Sequence, residues 1–127
     1  MMTVTFTPTV SFGRKSRRAP IVGVKNILNM SRLHWTVKGA YLRQHRDQTT
    51  GNLLTLGRAP GLPVNVKLVR IGPRKMDFDN YVSGFKGIRD AVAQWLKCDD
   101  GDESKVTFSY AQEKGEPSVR IEIEGKP

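Results

Sequence analysis

Apolar and polar residues alternate along several short stretches of the chain, as they do in β-strands that bury one face. The clearest stretch is VNVKLVRI, residues 64–71. Alternation also predicts strands in MTVTFTPTVSF (2–12), KVTFSYAQ (105–112) and SVRIEIEG (118–125). The EKGEP segment (113–117) between the last two has the residues of a hairpin turn, so these two strands are expected to pair with each other.

Two longer segments follow the helical period. In NYVSGFKGIRDAVAQWLK, residues 80–97, apolar residues recur on one side of a helix and should face the core; they are Tyr81, Phe85, Ile88, Val92 and Trp95. Residues 31–50 form the second predicted helix, with Ser31 as its cap and Gly51 just beyond its end. Its expected core residues are Leu33, Val37, Ala40 and Tyr41. The order β–α–β–α–β–β predicts a single α+β domain over residues 1–127 with two main helices.

The charge is unevenly distributed along the chain. The net charge is +9 and the isoelectric point is about 10.1. Residues 1–75 carry a net charge of +13, whereas residues 76–127 carry −4. A basic surface of this size attracts polyanions, and nucleic acid is the commonest partner of that kind. No apolar run is long enough to span a membrane, and no secretory signal is recognisable. With Cys98 as the single cysteine, we expect a cytoplasmic protein.

The segment RKMDFDN, residues 74–80, places two carboxylates directly after a basic run. Asp77 and Asp79 point to the same side if the backbone is extended there. A helix cap formed by Asp79 or Asn80 would be the ordinary structural explanation. A cap accounts for one of the two acids and leaves Asp77 unexplained.

Further charged residues follow along the predicted helix. At about 100° per residue, Lys86 and Asp90 each lie about 20° from Asp79, so the three share one polar side. The alternative is a solvated Lys86–Asp90 pair at i, i+4. CDDGDES, residues 98–104, adds more acids after the helix. They can join Asp77 and Asp79 only if the chain folds back or a partner subunit supplies them. Together, such carboxylates would suit Mg²⁺ or Mn²⁺ and phosphodiester hydrolysis.

Three segments together resemble the RusA family of Holliday junction resolvases, particularly its phage and prophage members. They are RKMDFDN, FKGIRDAV and WLKCDDGDESKVTFSYAQEKGEPSVRIEIE. The upstream segment NMSRLHWTVKGAYLRQHR, residues 29–46, also resembles the basic helical segment of these proteins. The resemblance covers residues 29–124, and residues 1–28 match poorly. It implies a mixed β-sheet and a homodimer that uses Mg²⁺, without a small-molecule cofactor, to nick two strands of a four-way DNA junction. Such an enzyme would act in DNA recombination and repair, in the cytoplasm of a bacterial or phage-infected cell.

The resemblance also assigns roles to individual residues. It implies that Asp77, Asp79 and Asp100 bind the metal, with Asp99 as the alternative if the register shifts by one. Lys86 matches the catalytic lysine of the helix, although it follows Asn80 by six positions where the founding members have three. Two further residues, Asp90 and Asn80, are expected to support these groups without contacting the metal.

Basic residues near these motifs are candidates for contacts with the DNA backbone. They are Arg32, Arg43, Arg46, Arg74 and Lys75. Ordinary solvated surface is the alternative for each of them. For the whole chain, the main alternative is a non-catalytic DNA- or RNA-binding accessory protein, which needs only the basic half and treats the aspartates as caps and turns. A third possibility is an interaction protein that binds its partner through the acidic half.

Overall fold

A computed structural model describes residues 1–9, Leu28 and residues 35–127 of the chain. Its elements, in chain order, are β1 (Met2–Phe6), α1 (Trp35–Leu54), β2 (Val64–Gly72), α2 (Phe78–Gly84), α3 (Lys86–Leu96), β3 (Val106–Lys114) and β4 (Ser118–Gly125). The predicted α+β class is confirmed, with three helices where two were expected. None of the helices in the described ranges has the length and apolar content needed to cross a membrane.

The four strands form one mixed sheet in the order β1-β4-β2-β3. β2 and β3 are parallel, whereas β4 runs antiparallel to both β1 and β2. The predicted hairpin between β3 and β4 is therefore wrong, because β2 lies between them. The connecting turn passes over the end of β2, where the Gly115 N–H donates to the carbonyl of Gly72 at 3.1 Å. This crossing places the carboxyl ends of β2 and β3 beside each other.

One face of the sheet packs against the helices and forms the core. Alternate residues of the two central strands point into it, as the predicted alternation requires; they are Val64, Val66, Leu68, Val119, Ile121 and Ile123. The apolar side predicted for residues 80–97 faces these strand residues, so that prediction is confirmed. Tyr81, Phe85, Ile88 and Val92 are buried, and Trp95 packs at the edge.

The segment predicted as one helix, 80–97, is broken at Phe85, which has φ −80° and ψ −3°. Gly84, the last residue of α2, lies against the main chain of Leu28, where a Cβ would be 2.2 Å from the carbonyl oxygen. The fully buried Phe85 side chain occupies the join. Since α2 and α3 are separate helices, the angular argument that placed Asp79, Lys86 and Asp90 on one side of a single helix does not hold.

The first long helix, α1, extends beyond its predicted end. Gly51 lies inside it, and the helix continues to Leu54. Every fourth residue of one face is buried, in the order Tyr41, His45, Thr49 and Leu53. Burial of Leu53 outweighs the weak helix propensity of glycine at position 51. Of the other predicted core residues, Val37 and Ala40 are half-buried, and Leu33 lies outside the described residues.

The buried His45 should make stability depend on pH. Burial lowers its pKa to about 4, and its Nδ1 atom has no hydrogen-bond partner in the part of the chain that is described. The unfolded chain takes up this proton near pH 6.5, whereas the folded chain resists it until about pH 4. Stability should therefore be unaffected above pH 6.5 and fall by up to about 3 kcal/mol as the pH drops towards 4.

Denaturant unfolding at several pH values, compared between the native chain and His45→Leu, measures this contribution. The difference in unfolding free energy between the two proteins should change across pH 6.5 to 4 in favour of the leucine variant. A difference that stays constant over this range would show that His45 is not held neutral by burial. Carboxyl groups also titrate in acid, but they contribute equally to both proteins and cancel in the difference.

Candidate metal and nucleic-acid site

The aspartate pair, Asp77 and Asp79, lies where the chain enters α2. Asp77 is the residue that precedes the helix, with extended backbone at φ −60° and ψ 141°, and Asp79 lies in the first turn. The predicted cap at Asp79 or Asn80 is wrong, because both residues lie inside the helix. Asp77 occupies the cap position, but its side chain makes no capping hydrogen bond.

Both carboxylates of the aspartate pair are exposed to solvent. Within residues 1–9, 28 and 35–127, neither side chain has a hydrogen bond or an ion pair. Acidic residues at the start of a helix are favoured by the helix dipole, and this interaction leaves the carboxylate oxygens exposed. Both carboxylates are therefore accessible to a ligand.

The loop between β2 and α2, which carries Arg74 and Lys75 to the aspartate pair, is anchored to the sheet. Gln112 of β3 clasps Met76 with two hydrogen bonds: its amide oxygen accepts from the main-chain N–H at 3.0 Å, and its Nε2 donates to the carbonyl at 2.7 Å. The Arg70 Nη1 donates to the carbonyl of Arg74 at 2.9 Å. These bonds fix the backbone on which the basic residues and Asp77 stand.

The second acidic cluster lies in the loop between α3 and β3. Asp100 is half-exposed, and its Oδ2 lies 3.1 Å from Nε of Arg89. Arg89 also donates to the Asp100 carbonyl at 3.2 Å and to the Tyr110 hydroxyl at 2.7 Å. Its guanidinium carbon lies 4.7 Å from the centroid of the Phe108 ring. Asp99 is exposed, and its Oδ1 accepts from the Gly101 N–H at 3.1 Å.

A chain of contacts connects the two acidic clusters without merging them. The Phe78 ring, between the paired aspartates, meets the Tyr110 ring edge-on with centroids 6.5 Å apart. Tyr110 accepts from Arg89, which in turn holds Asp100. Within the described ranges, no three acidic, histidine or cysteine side chains lie close enough together to hold one metal ion. The chain thus presents Asp77 and Asp79 at one place and Asp100 at another.

The other predicted site residues lie on the two helices that follow the aspartate pair. Lys86 is exposed and begins α3, and Asp90 is half-buried one turn later. They do not form the i, i+4 ion pair that was the alternative reading, as far as the described residues show. Asn80 is half-buried, and its main-chain N–H donates to the Asp77 carbonyl at 3.1 Å. The roles assigned to these three residues stay predictions.

The predicted backbone-contacting residues fall in two places. Arg43 and Arg46 are exposed on α1, and Arg74 and Lys75 are exposed in the loop directly before the aspartate pair. Arg32 lies outside the described residues. Positive charge thus immediately precedes the two free carboxylates, an arrangement that suits a phosphate chain crossing a metal site.

Sequence reasoning missed residues that act through three-dimensional contacts. Arg89 and Gln112 bond to distant segments, and nothing in their spacing indicates this. Phe78 was also not predicted as a site residue, although it lies between two aspartates at the start of a helix. It is 58% exposed. Residues of this kind can be identified only when it is known which residues contact each other in the fold.

Compared with known protein families and with curated proteins, the sequence matches none. The resemblance to the RusA family therefore stays a prediction that rests on the motifs themselves. The structure adds an observation that is independent of this resemblance. Asp77 just before α2 and Asp79 in its first turn are exposed, and they directly follow the exposed Arg74 and Lys75.

Proposed function

We propose that this protein is a Mg²⁺-dependent, structure-selective endodeoxyribonuclease that acts on four-way junctions and other branched DNA as a homodimer. The proposal follows the RusA resemblance, and one observation carries it. Asp77 and Asp79 are exposed, form no capping hydrogen bond with α2, and have no ionic partners in the described part of the chain. They directly follow Arg74 and Lys75. Both carboxylates are therefore accessible to a cation, next to side chains that attract a polyanion.

The donor set fits Mg²⁺ or Mn²⁺. These ions prefer oxygen ligands and are commonly held by one or two carboxylates together with waters and substrate phosphate oxygens. When bound, such an ion lowers the pKa of a coordinated water and stabilises the leaving oxygen of a phosphodiester. Asp77 and Asp79 would hold the ion, and Lys86 would offset the charge that develops on the phosphate. Arg74 and Lys75 would hold the DNA backbone in register.

We assign the third carboxylate, Asp100, to the second copy of the chain in the homodimer. Two findings support this assignment. No three suitable side chains converge within the described part of one chain, and Asp100 is already paired with Arg89 of its own chain. A partner subunit was one of the two ways in which the acidic clusters could meet, and a symmetric dimer would build two such sites for two strands. Asp99 remains the alternative within the same loop.

The competing function is that of a non-catalytic DNA- or RNA-binding accessory protein. It explains the charge of residues 1–75 equally well. It does not explain the aspartate pair, because two free carboxylates beside Arg74 and Lys75 would repel the phosphate backbone that a binding module has to attract.

To test for this activity, the protein is incubated with a labelled synthetic four-way junction and, separately, with a linear duplex of the same sequence. We expect paired nicks in the junction with Mg²⁺, none with EDTA, and little cutting of the linear duplex. Binding of both DNAs without any Mg²⁺-dependent nicking would favour the accessory protein instead. Gel separation under denaturing conditions reports the nicks directly.

A further inference from the structure

A pocket of about 500 Å³ opens at the carboxyl ends of the parallel strands β2 and β3. We call it the basic pocket; it is lined by residues 72–75 and 112–114. Three exposed cationic side chains lie in its lining: Arg74, Lys75 and Lys114. Crevices at the carboxyl ends of neighbouring parallel strands are common ligand-binding places in open sheets. Lys114 has no place in the motifs that carried the sequence analysis.

The acidic residue of the lining, Glu113, is already neutralised. Its carboxylate accepts two hydrogen bonds from the guanidinium of Arg120, one of them from Nη1 at 3.1 Å. These hydrogen bonds hold the pKa of Glu113 below its usual value, so it stays ionised and paired. The three cations of the lining are therefore not offset within the pocket, and the pocket has a net positive charge.

The floor of the basic pocket is rigid. The buried Arg70 guanidinium lies so close beneath the main chain that a Cβ on Gly72 would be 2.9 Å from its Nη1. Arg70 holds the Arg74 carbonyl, and Gln112 clasps Met76 on the opposite side. The cations of the pocket rim therefore stand on an anchored backbone. A preformed site of this kind loses little entropy when it binds an anion.

We propose that the basic pocket binds a phosphodiester group of the DNA strand, next to the phosphate at the aspartate pair, and that Lys114 is a further DNA-contacting residue. The inference rests on the proposed function, which supplies DNA as the ligand. Lys75 lines the pocket and Asp77 follows it by two positions, so one strand can cross both places. Fixed cations at a neighbouring phosphate set the position of the strand without reading its sequence.

The test is the salt dependence of junction binding, measured by fluorescence anisotropy in EDTA so that no cleavage occurs. Lys114→Gln should weaken binding about fivefold for any sequence and reduce the slope of log K against log salt by about 0.9. Arg58→Gln is the matched control, because Arg58 is an exposed cation before the start of β2 and does not line the basic pocket at the other end of that strand. It removes the same charge and should leave the slope unchanged.

Equal slopes for Lys114→Gln and Arg58→Gln would overturn the pocket assignment while leaving the nuclease proposal intact if junctions are still nicked. A reduced slope in a protein that never nicks DNA would keep the pocket and remove the nuclease. Calorimetry with inorganic phosphate separates a small-anion site from a strand contact. Saturable phosphate binding that Lys114→Gln abolishes, with no change in the DNA slope, would also contradict the proposal.

Discussion

Replacing Asp77 or Asp79 by Asn is expected to abolish Mg²⁺-dependent nicking of a four-way junction while leaving the fold intact. Each change removes the negative charge of a carboxylate that we propose binds the metal, and it keeps the shape of the side chain. Metal-bound groups contribute several kcal/mol to the transition state, so the rate should fall by at least about a hundredfold. Stability should change by less than about 0.5 kcal/mol, because neither carboxylate caps α2 or forms an ion pair in the described residues.

DNA affinity distinguishes a lost metal ligand from a lost surface contact. In EDTA, Asp77→Asn and Asp79→Asn should bind the junction as tightly as the native chain or more tightly, because a repulsive charge near the phosphates is gone. Asp47→Asn is the matched control: Asp47 is an exposed aspartate of α1, and its loss should leave nicking unchanged. Undiminished nicking by both variants of the aspartate pair would remove them from the catalytic site.

Replacing Gly87 by Ala is expected to destabilise the fold more than any surface substitution considered above. α1 crosses α3 at this glycine, where a Cβ would lie 2.6 Å from the Leu42 carbonyl oxygen and 3.2 Å from Cβ of His45. The nearest atom belongs to the backbone and cannot rotate away, so α1 and α3 must separate. Overpacking of this kind costs about 1–3 kcal/mol, and we expect a fall in Tm of roughly 10 °C.

Gly51→Ala is the control for this prediction, because it makes the same substitution in an exposed part of α1. No atom lies within 4 Å of the position a Cβ would take there. Alanine should therefore stabilise the helix by about 0.5–1 kcal/mol through its higher helix propensity. Thermal unfolding of both variants by circular dichroism measures the contrast. An increase in Tm for Gly87→Ala would show that the two helices do not pack as closely as described.

Local periodicity was sufficient to predict the elements whose burial is regular. Residues 64–71 alternate because the helices cover only one face of the sheet at β2, and the apolar side around Ile88 follows the helical period because α3 packs on that face. The same reasoning failed at Phe85, because the apolar period continues through the residue at which the helix is broken. It also paired β3 with β4, because turn residues describe the turn and not which strand lies beside it.

The candidate site was predictable to a similar extent. The motif around Asp77 predicted the position of the aspartate pair, and the distribution of Lys and Arg along the chain predicted a basic surface. The sequence could not show that a cap was absent, since capping depends on backbone angles that only the fold defines. Nor could it show that Arg89 holds Asp100, that Gln112 clasps Met76, or that Lys114 shares a pocket with Lys75. Each of these depends on which strand lies beside which.

In the proposed homodimer, each metal site combines the aspartate pair of one protomer with Asp100 of the other. Mixing Asp79→Asn with Asp100→Asn, each inactive alone, tests it directly. About half of the exchanged dimers pair one variant with the other, and each such dimer has one site with all its carboxylates. We expect the mixture to regain about a quarter of the native sites, seen as single nicks in the junction. A mixture that binds the junction and exchanges subunits but stays inactive would contradict it.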